Sequence, residues 1–243
     1  MIEDFEIPFA DGSSARAFRI ERREELGPVA QMLVHEGALA SVIVLGGADG
    51  MNARDLRRLQ PLFTGVLAEL AFRFGAAVVD GGTDTGVMRL MGRARTKGPR
   101  DFPLVGVAVA PLVRIPGEAA HDDAADLEPN HTHFVLVPGD RWGDEGPWLA
   151  ALGEAIGGRT ATVLVNGGEI TRRDAELCVQ AGRPLIVVAG SGRTADDLAA
   201  AAAGRAPDEK SARIAATGLV RPVEVRDRDG LAWLLDDVLA GRA

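Results

Sequence analysis

Six short apolar runs, each leading into a turn, constrain this chain more than any other feature. They are SVIVLGG from Ser41, AAVVDGG from Ala76, PLVGVAVA from Pro103, HFVLVPG from His133, TATVLVNGG from Thr160 and PLIVVAGSG from Pro184. Each is too short for a helix and rich in Val or Ile. A strand with one wet face alternates apolar and polar residues. An unbroken apolar run instead marks a strand buried on both faces, as in a parallel sheet covered by helices. Only 5% of the chain is aromatic and there is no Tyr, so the core must be aliphatic, which suits such a sheet. A seventh, more polar run, PVEVRD from Pro222, reads as an edge strand.

Helical patterns separate most of these runs. ARDLRRLQPLFTGVLAELAFRFG carries apolar residues at 3- and 4-residue spacing despite Pro61, and GPWLAALGEAIGG, TRRDAELCVQAG, TADDLAAAAAGRA and GLAWLLDDVLAG follow. Strand–helix alternation predicts an α/β fold, a Rossmann-like parallel sheet with helices on both faces. Residues 1–21 read as an N-terminal β-hairpin: Phe5, Ile7 and Phe9 alternate, Asp11-Gly12 marks the turn, and Ala17, Phe18 and Ile20 continue beyond it. A helix follows from Arg22 to His35, with Pro28 disturbing its first turns. The acidic, Ala-rich stretch from Ile115 to Leu127 reads as a mobile loop. With no repeat and no linker, one domain is expected, residues 1–37 forming the hairpin and helix and 38–243 the Rossmann-like core.

The charge balance removes whole classes of function. Formal net charge is −8, whereas general nucleic-acid binders carry a basic footprint, so no nucleic-acid partner and no anionic membrane surface is expected. No apolar run approaches a membrane span, and the acidic start lacks the basic and apolar regions of a signal peptide. The single cysteine, Cys178, excludes an intrachain disulfide and fits a reducing compartment. A cytoplasmic protein is expected, with homo-oligomerisation left open.

The chemistry concentrates where the glycines fall. Five of the six core runs end in Gly-bearing turns: Gly46-Gly47, Gly81-Gly82, Pro138-Gly139, Gly167-Gly168 and Gly190-Ser191-Gly192. In an open parallel sheet these turns share the carboxyl edge, where ligands bind. Glycine admits an anion to backbone N–H groups, and the helix that follows adds its positive dipole end. One such turn is ordinary turn geometry; five on one edge point to a site. Around them stand Asp80, Thr83, Asp84, Thr85 and Gly86, then Asn166, Thr171 and Asp174, with Asn130 and His131 ahead of a strand. Thr171 and Thr194 also read as helix N-caps. Arg193, directly after Gly192, is placed to clamp a phosphate with paired hydrogen bonds. Trp142, in a polar loop, is a candidate to stack on a base, whereas Trp148 starts a helix and reads as core.

Other chemistries find little support. His131 and His133 stand at the start of a strand with no Cys or third His nearby, so no zinc site is expected. Magnesium at Asp140, Asp144 and Glu145 is not expected either, since a solvated acidic loop explains them. There is no G-x-S-x-G and no P-loop lysine, and VLGGADG from Val44 is only a partial dinucleotide fingerprint. No required cofactor is expected beyond a bound nucleotide.

Three blocks, VVDGGTDTGVMRLMG from Val78, LEPNHTHFVLVPG from Leu127 and VLVNGGEITRRD…GRPLIVVAGSGRTADDLA from Val163, resemble the LSDAT domain of the SLOG superfamily. That domain stands at the cytoplasmic N-terminus of melastatin-type TRP channels and also occurs in prokaryotes. The resemblance spans about Ser41 to Ala200. It implies a Rossmann-like fold and a nucleotide-derived ligand, of the ADP-ribose type in some channel members. It further implies ligand-facing turns at Gly81, Gly82, Thr83, Thr85 and Gly86, at Gly167, Gly168 and Thr171, and at Gly190, Ser191, Gly192 and Arg193. Asp84 departs from the histidine of the channel version and puts an anion near the phosphates.

The superfamily also contains lonely-guy phosphoribohydrolases, which use a Gly-Gly-x-Gly-Thr-x-x-Glu turn and a Met-His-x-Arg-Lys segment. Here Ile170 replaces the third Gly, Asp174 replaces the Glu, and the arginine segment is not recognisable. Misplacing a catalytic carboxylate by about an ångström costs on the order of a hundredfold in rate. A ligand-sensing domain for an ADP-ribose-like or related adenine nucleotide is therefore expected, with Asp80 or Asp174 on ribose hydroxyls. A nucleotide N-glycosidase using Asp174 is the alternative. An interaction module without a small ligand would need a blocked glycine edge.

Overall fold

All six apolar runs are strands of one sheet in the computed structural model, which describes residues 2–48, 50–97 and 101–242. Residue 49 of the Val44–Gly50 stretch lies outside them. The chain begins with β1 (Glu3–Pro8) and β2 (Ser14–Arg19), then α1 (Leu26–His35) and β3 (Ala40–Gly46). Next come α2 (Ala53–Leu62), α3 (Ala68–Phe74), β4 (Ala76–Asp80), α4 (Gly86–Arg95) and β5 (Leu104–Val109). The short strands β6 (Val113–Arg114) and β7 (Ala125–Asp126) precede β8 (His133–Val137) and α5 (Gly146–Ala155). The chain closes with β9 (Thr160–Val165), α6 (Glu169–Gln180), β10 (Leu185–Ala189), α7 (Arg193–Ala202), α8 (Glu209–Ala216), β11 (Val220–Glu224) and α9 (Arg228–Leu239).

The sheet runs β1-β2-β8-β5-β4-β3-β9-β10-β11 and is parallel throughout except at β1. Successive strand residues feed opposite cores, which is why the runs are apolar without alternation. Ile43, Leu45, Val79 and Val107 pack under α1, α5, α6 and α7. Val42, Val44, Val78 and Val163 pack under α2, α3, α4 and α9. The hairpin adds its strands beyond β8 and closes a third cluster of Ile7, Ala17, Phe134 and Leu136. β1 and β11 form the two edges, as the polarity of PVEVRD predicts for β11.

Three local expectations need correction. The stretch from Ile115 to Leu127 is not a free loop. β6 pairs with β7, Leu127 bridges Thr83, and Ile115, Ala124 and Leu127 are buried, so apolar residues pin both ends of an exposed acidic middle. The long helix predicted from Ala53 is two helices joined by a π-helical turn over Phe63–Leu67, just after Pro61. Thr171 and Thr194 are not N-caps. Gly168 and Gly192 occupy the cap positions, and both threonine hydroxyls donate instead to carbonyls of neighbouring turns. α4 and α8 were not anticipated as separate helices.

Candidate functional site

The sheet reverses direction of growth between β3 and β9. From β3 the chain builds outward through β4, β5 and β8, then returns to the other side of β3 and builds outward through β9, β10 and β11. Such a reversal opens a crevice beyond the carboxyl ends of the strands. A cavity of about 570 Å³ lies there. Gly46 and Gly47 floor it after β3, Gly81, Thr83 and Thr85 after β4, and Gly168, Ile170 and Thr171 after β9. Trp142, Glu145 and Gly146 close it from the β8–α5 connection, Asp174 from α6, and Arg193 from the start of α7.

The turns are bound to one another. Thr171 Oγ1 donates to the Gly46 carbonyl at 3.2 Å, the Val87 N–H to Gly47 at 3.1 Å, and Thr194 Oγ1 to Gly168 at 3.0 Å. Gly86 has φ +47°, and a Cβ there would run into the Gly47 carbonyl, so this position requires glycine. Arg193 is held in the left-handed region at φ +54°, a strain of about 1–2 kcal/mol for a residue with a side chain. Its guanidinium lies against backbone that carries no side chain: a Cβ on Gly168 would come within 2.5 Å of Nη2, and one on Gly50 within 3.1 Å of Nη1. The buried Thr85 hydroxyl, on the cavity wall, has no hydrogen-bond partner among the described residues.

Part of the cavity wall is acidic, with Glu145 and Asp174 among its residues. Burial raises the Asp174 carboxyl from 3.8 to about 7; the Glu145 charge adds to the rise and Arg173 opposes it. Burial likewise raises Glu145, whose Oε2 accepts the Gly143 N–H at 2.8 Å. Glu145 is therefore no member of a solvated acidic loop, as its sequence context suggests. As the residue that opens the Gly-Pro-Trp helix it is turned into the cavity. The sequence signal that could have revealed it is that position, just ahead of a helix N-terminus at the carboxyl edge.

The expected site residues divide into two groups. Gly46, Gly47, Gly81, Thr83, Thr85, Trp142, Gly168, Thr171, Asp174 and Arg193 line the cavity, and Trp142 is 37% exposed. The others build the layer behind it. Asp80 is fully buried; its Oδ1 accepts the Gly82 N–H at 2.8 Å and meets His131 Nε2 at 2.9 Å, so it faces away from any ribose. Gly82 packs its Cα side against Gly106 and Phe134, where a Cβ would lie 2.8 Å from the Gly106 Cα. His131 Nδ1 meets Glu128 at 2.9 Å, and Asn130 is bound to the same carboxylate. Burial alone would lower His131, but the Asp80 and Glu128 carboxylates outweigh it and raise it to about 9. The charge of Asp84 is met by Arg89 Nε at 2.7 Å.

Asn166, left-handed at φ +60°, accepts the Gly167 N–H and donates to the Ser191 carbonyl at 2.7 Å, while Ser191 Oγ accepts the Asn166 N–H. Gly190 and Gly192 shape that turn at φ +80° and +104°. Sequence reasoning missed Glu145, Ile170, Met88 and Asp123 on the cavity wall. Among the described residues no three His, Cys, Asp or Glu side chains gather as a metal site would need, and no helix is long and apolar enough to cross a membrane.

Comparisons with known proteins agree with this architecture. A family model described as "SLOG in TRPM, prokaryote" matches residues 39–232. The chain is 29% identical over 204 residues to the rat transient receptor potential cation channel subfamily M member 2, and 29% over 200 residues to the mouse protein. These alignments cover 67% and 65% of the chain but 13% of either channel. Among solved structures, a molybdenum cofactor binding protein from Rippkaea orientalis superposes with a TM-score of 0.55 at 11% identity, over 82% of this chain and 97% of that one. At that identity the likeness is one of fold.

Proposed function

Because the chain belongs to the prokaryotic family of SLOG domains related to those of TRPM channels, we propose that it is a ligand-sensing domain for a nucleotide-derived small molecule. One observation carries this reading: the cavity sits at the reversal of strand order, where glycine turns, Arg193 and the Thr85 hydroxyl, which has no partner among the described residues, converge. Glycine turns and helix N-termini suit phosphates. The guanidinium of Arg193 supplies a planar donor pair for them. Trp142 offers a surface for a base, and Asp174, rather than Asp80, lies where ribose hydroxyls would reach. An ADP-ribose-like or related adenine nucleotide fits this order of groups.

Calorimetry with AMP, ADP, ADP-ribose and NAD tests the proposal. Gly81→Val is the clean probe of the cavity, because the atoms nearest to a Cβ there are those of Met88, from 3.8 Å, whereas one on Gly82 would collide with backbone. Gly81→Val should abolish binding with the thermal midpoint kept. Arg193→Ala should weaken it by about 1.5–3 kcal/mol, the range for hydrogen bonds to charged groups. Undiminished affinity in both variants overturns the assignment.

A second reading is favoured by one feature. A carboxyl held at about 7 is suited to act as a general acid, so Asp174, with Glu145 beside it, supports a nucleotide N-glycosidase. Against it stand the shorter side chain and the missing arginine segment. Chromatography of the same nucleotides after long incubation separates the two: base release that disappears in Asp174→Asn makes this an enzyme, and intact nucleotide keeps it a sensor.

A further inference from the structure

The Asp174 carboxyl, on α6, lies against the start of α5. A Cβ on Gly146 would collide with its Oδ1, so the carboxyl is packed on that backbone. A helix start ordinarily offers free N–H groups to a carboxylate. This one has none to give. The Gly146 N–H donates to the Gly143 carbonyl at 3.3 Å, Pro147 has no N–H, and the Trp148 and Leu149 N–H groups both donate to the Glu145 carbonyl at 2.9 Å. Asp174 accordingly makes no hydrogen bond to a described residue.

The charges around it are mostly of its own sign. Asp123 from the β6–β7 connection, Glu145 from the β8–α5 connection and Glu169 from the first turn of α6 share the cavity wall with it. Asp144 and Glu176 stand with it on the outer side, at the border of a separate cavity. The cations are two arginines. Arg173 opposes the rise of Asp174 to about 7, and Arg193 reaches the cavity from α7.

We propose that the cavity takes up a proton as it fills: an anionic ligand enters best when the Asp174 carboxyl is neutral, so binding is tighter in acid than in alkali. The inference rests on the nucleotide reading above and adds the regulation of that site. A phosphate-bearing ligand brings negative charge and displaces water from a wall that offers a carboxylate no donor. Both effects hold the proton on Asp174 more firmly in the complex than in the free protein. The neutral carboxyl also suits a ribose hydroxyl: its O–H donates, its carbonyl accepts, and it puts no charge beside a phosphate. By linkage, the full affinity is present below about pH 7, where the free protein already carries the proton. It falls as pH rises toward the value in the complex and levels off beyond it. The response thus lies near neutrality, where a carboxyl of ordinary pKa would give none.

ADP-ribose is the probe, because its diphosphate is esterified at both ends and lacks the ionisation near pH 6 of a terminal phosphate. Calorimetry should give roughly tenfold tighter binding at pH 6 than at pH 9, the effect of a one-unit rise in a single carboxyl. At about pH 7.5 the binding heat should differ between phosphate and Tris buffers, as proton uptake requires. Asp174→Asn, neutral throughout, should bind equally at both pH values and take up no proton. The buffer comparison on the wild-type protein decides the matter even if the variant folds poorly. Affinity that is flat with pH, or rises with it, overturns the coupling while the nucleotide site stands. So does a pH dependence that survives in Asp174→Asn, since it belongs to another group such as His131. Failure of ADP-ribose to bind at any pH overturns the nucleotide reading and the coupling with it.

Discussion

Beneath the turn after β4, the carboxylates of Asp80 and Glu128 share the imidazolium of His131; on the cavity wall, burial and the neighbouring Glu145 raise the Asp174 carboxyl, and Arg173 opposes the rise. The first cluster is sealed, with His131 at 2% exposure; Asp80 Oδ1 and the Glu128 oxygens are met by ring nitrogens, backbone N–H groups and Asn130, while Asp80 Oδ2 has no partner among the described residues. The second is open to the cavity, and its carboxyls rise toward neutrality. The same residue types thus serve two ends. Where a cation is built in, the charges hold a turn in place. Where none is, a proton takes its place, and the group stays responsive to whatever enters.

Removing the cation from the sealed cluster should have the largest effect. His131→Ala leaves two buried carboxylates facing each other and should cost about 3–5 kcal/mol in urea unfolding at pH 7. A loss under about 1 kcal/mol would show that the cluster does not brace the turn. Because folding raises His131 from 6.5 to about 9, its stabilisation is complete below about pH 6.5 and is lost as pH rises through 9. The wild-type protein should weaken between about pH 6.5 and 9 and level off above, and His131→Ala should lack that transition.

The open cluster should answer with the opposite sign. Folding raises Asp174 from 3.8 to about 7, so its ionisation works against the fold. The penalty is absent below about pH 4, grows through pH 7, and has an upper limit of about 4 kcal/mol that partial exposure reduces. Asp174→Asn should therefore stabilise the protein by about 2 kcal/mol at pH 8 and hardly at all at pH 4. Destabilisation at pH 8 would mean that the carboxylate, not the acid, is what the fold holds.

The smallest effect sharpens the pair itself. Glu145→Gln removes the charge that adds to the rise of Asp174, so the Asp174 titration followed by carbon NMR should move to lower pH. An unmoved midpoint would leave burial as its whole cause.

How much of this was readable beforehand depends on the range of the interactions. The core strands were legible because burial on both faces writes itself as an unbroken run, as in SVIVLGG. The convergence of Gly46, Gly81 and Gly168 was legible because a parallel sheet puts all strand ends on one edge. What escaped was set by contacts across the chain. Asp80 sits in a ligand-like Asp-Gly-Gly sequence, yet His131, 51 residues away, turns it inward. Thr171 has the look of a cap, yet the Gly46 carbonyl, 125 residues away, takes its hydroxyl. Glu145 reads as loop charge until α6 closes over it. In each case the local pattern names the residue and a distant partner decides its direction.

The two outermost strands carry a further implication, for how molecules of this protein meet. An open sheet ends in unpaired N–H and C=O groups that invite a strand from a neighbour. β1 meets that risk with Glu3, Asp4 and Glu6 along its length and Pro8 at its end; β11, at the far side, carries Arg221, Pro222 and Glu224. Proline offers no donor, and repeated carboxylates repel a second copy of themselves. The long apolar β8, which would otherwise be exposed on one side, is paired with β2 and never becomes a margin. Growth into fibrils by adding strands is thus discouraged at both ends.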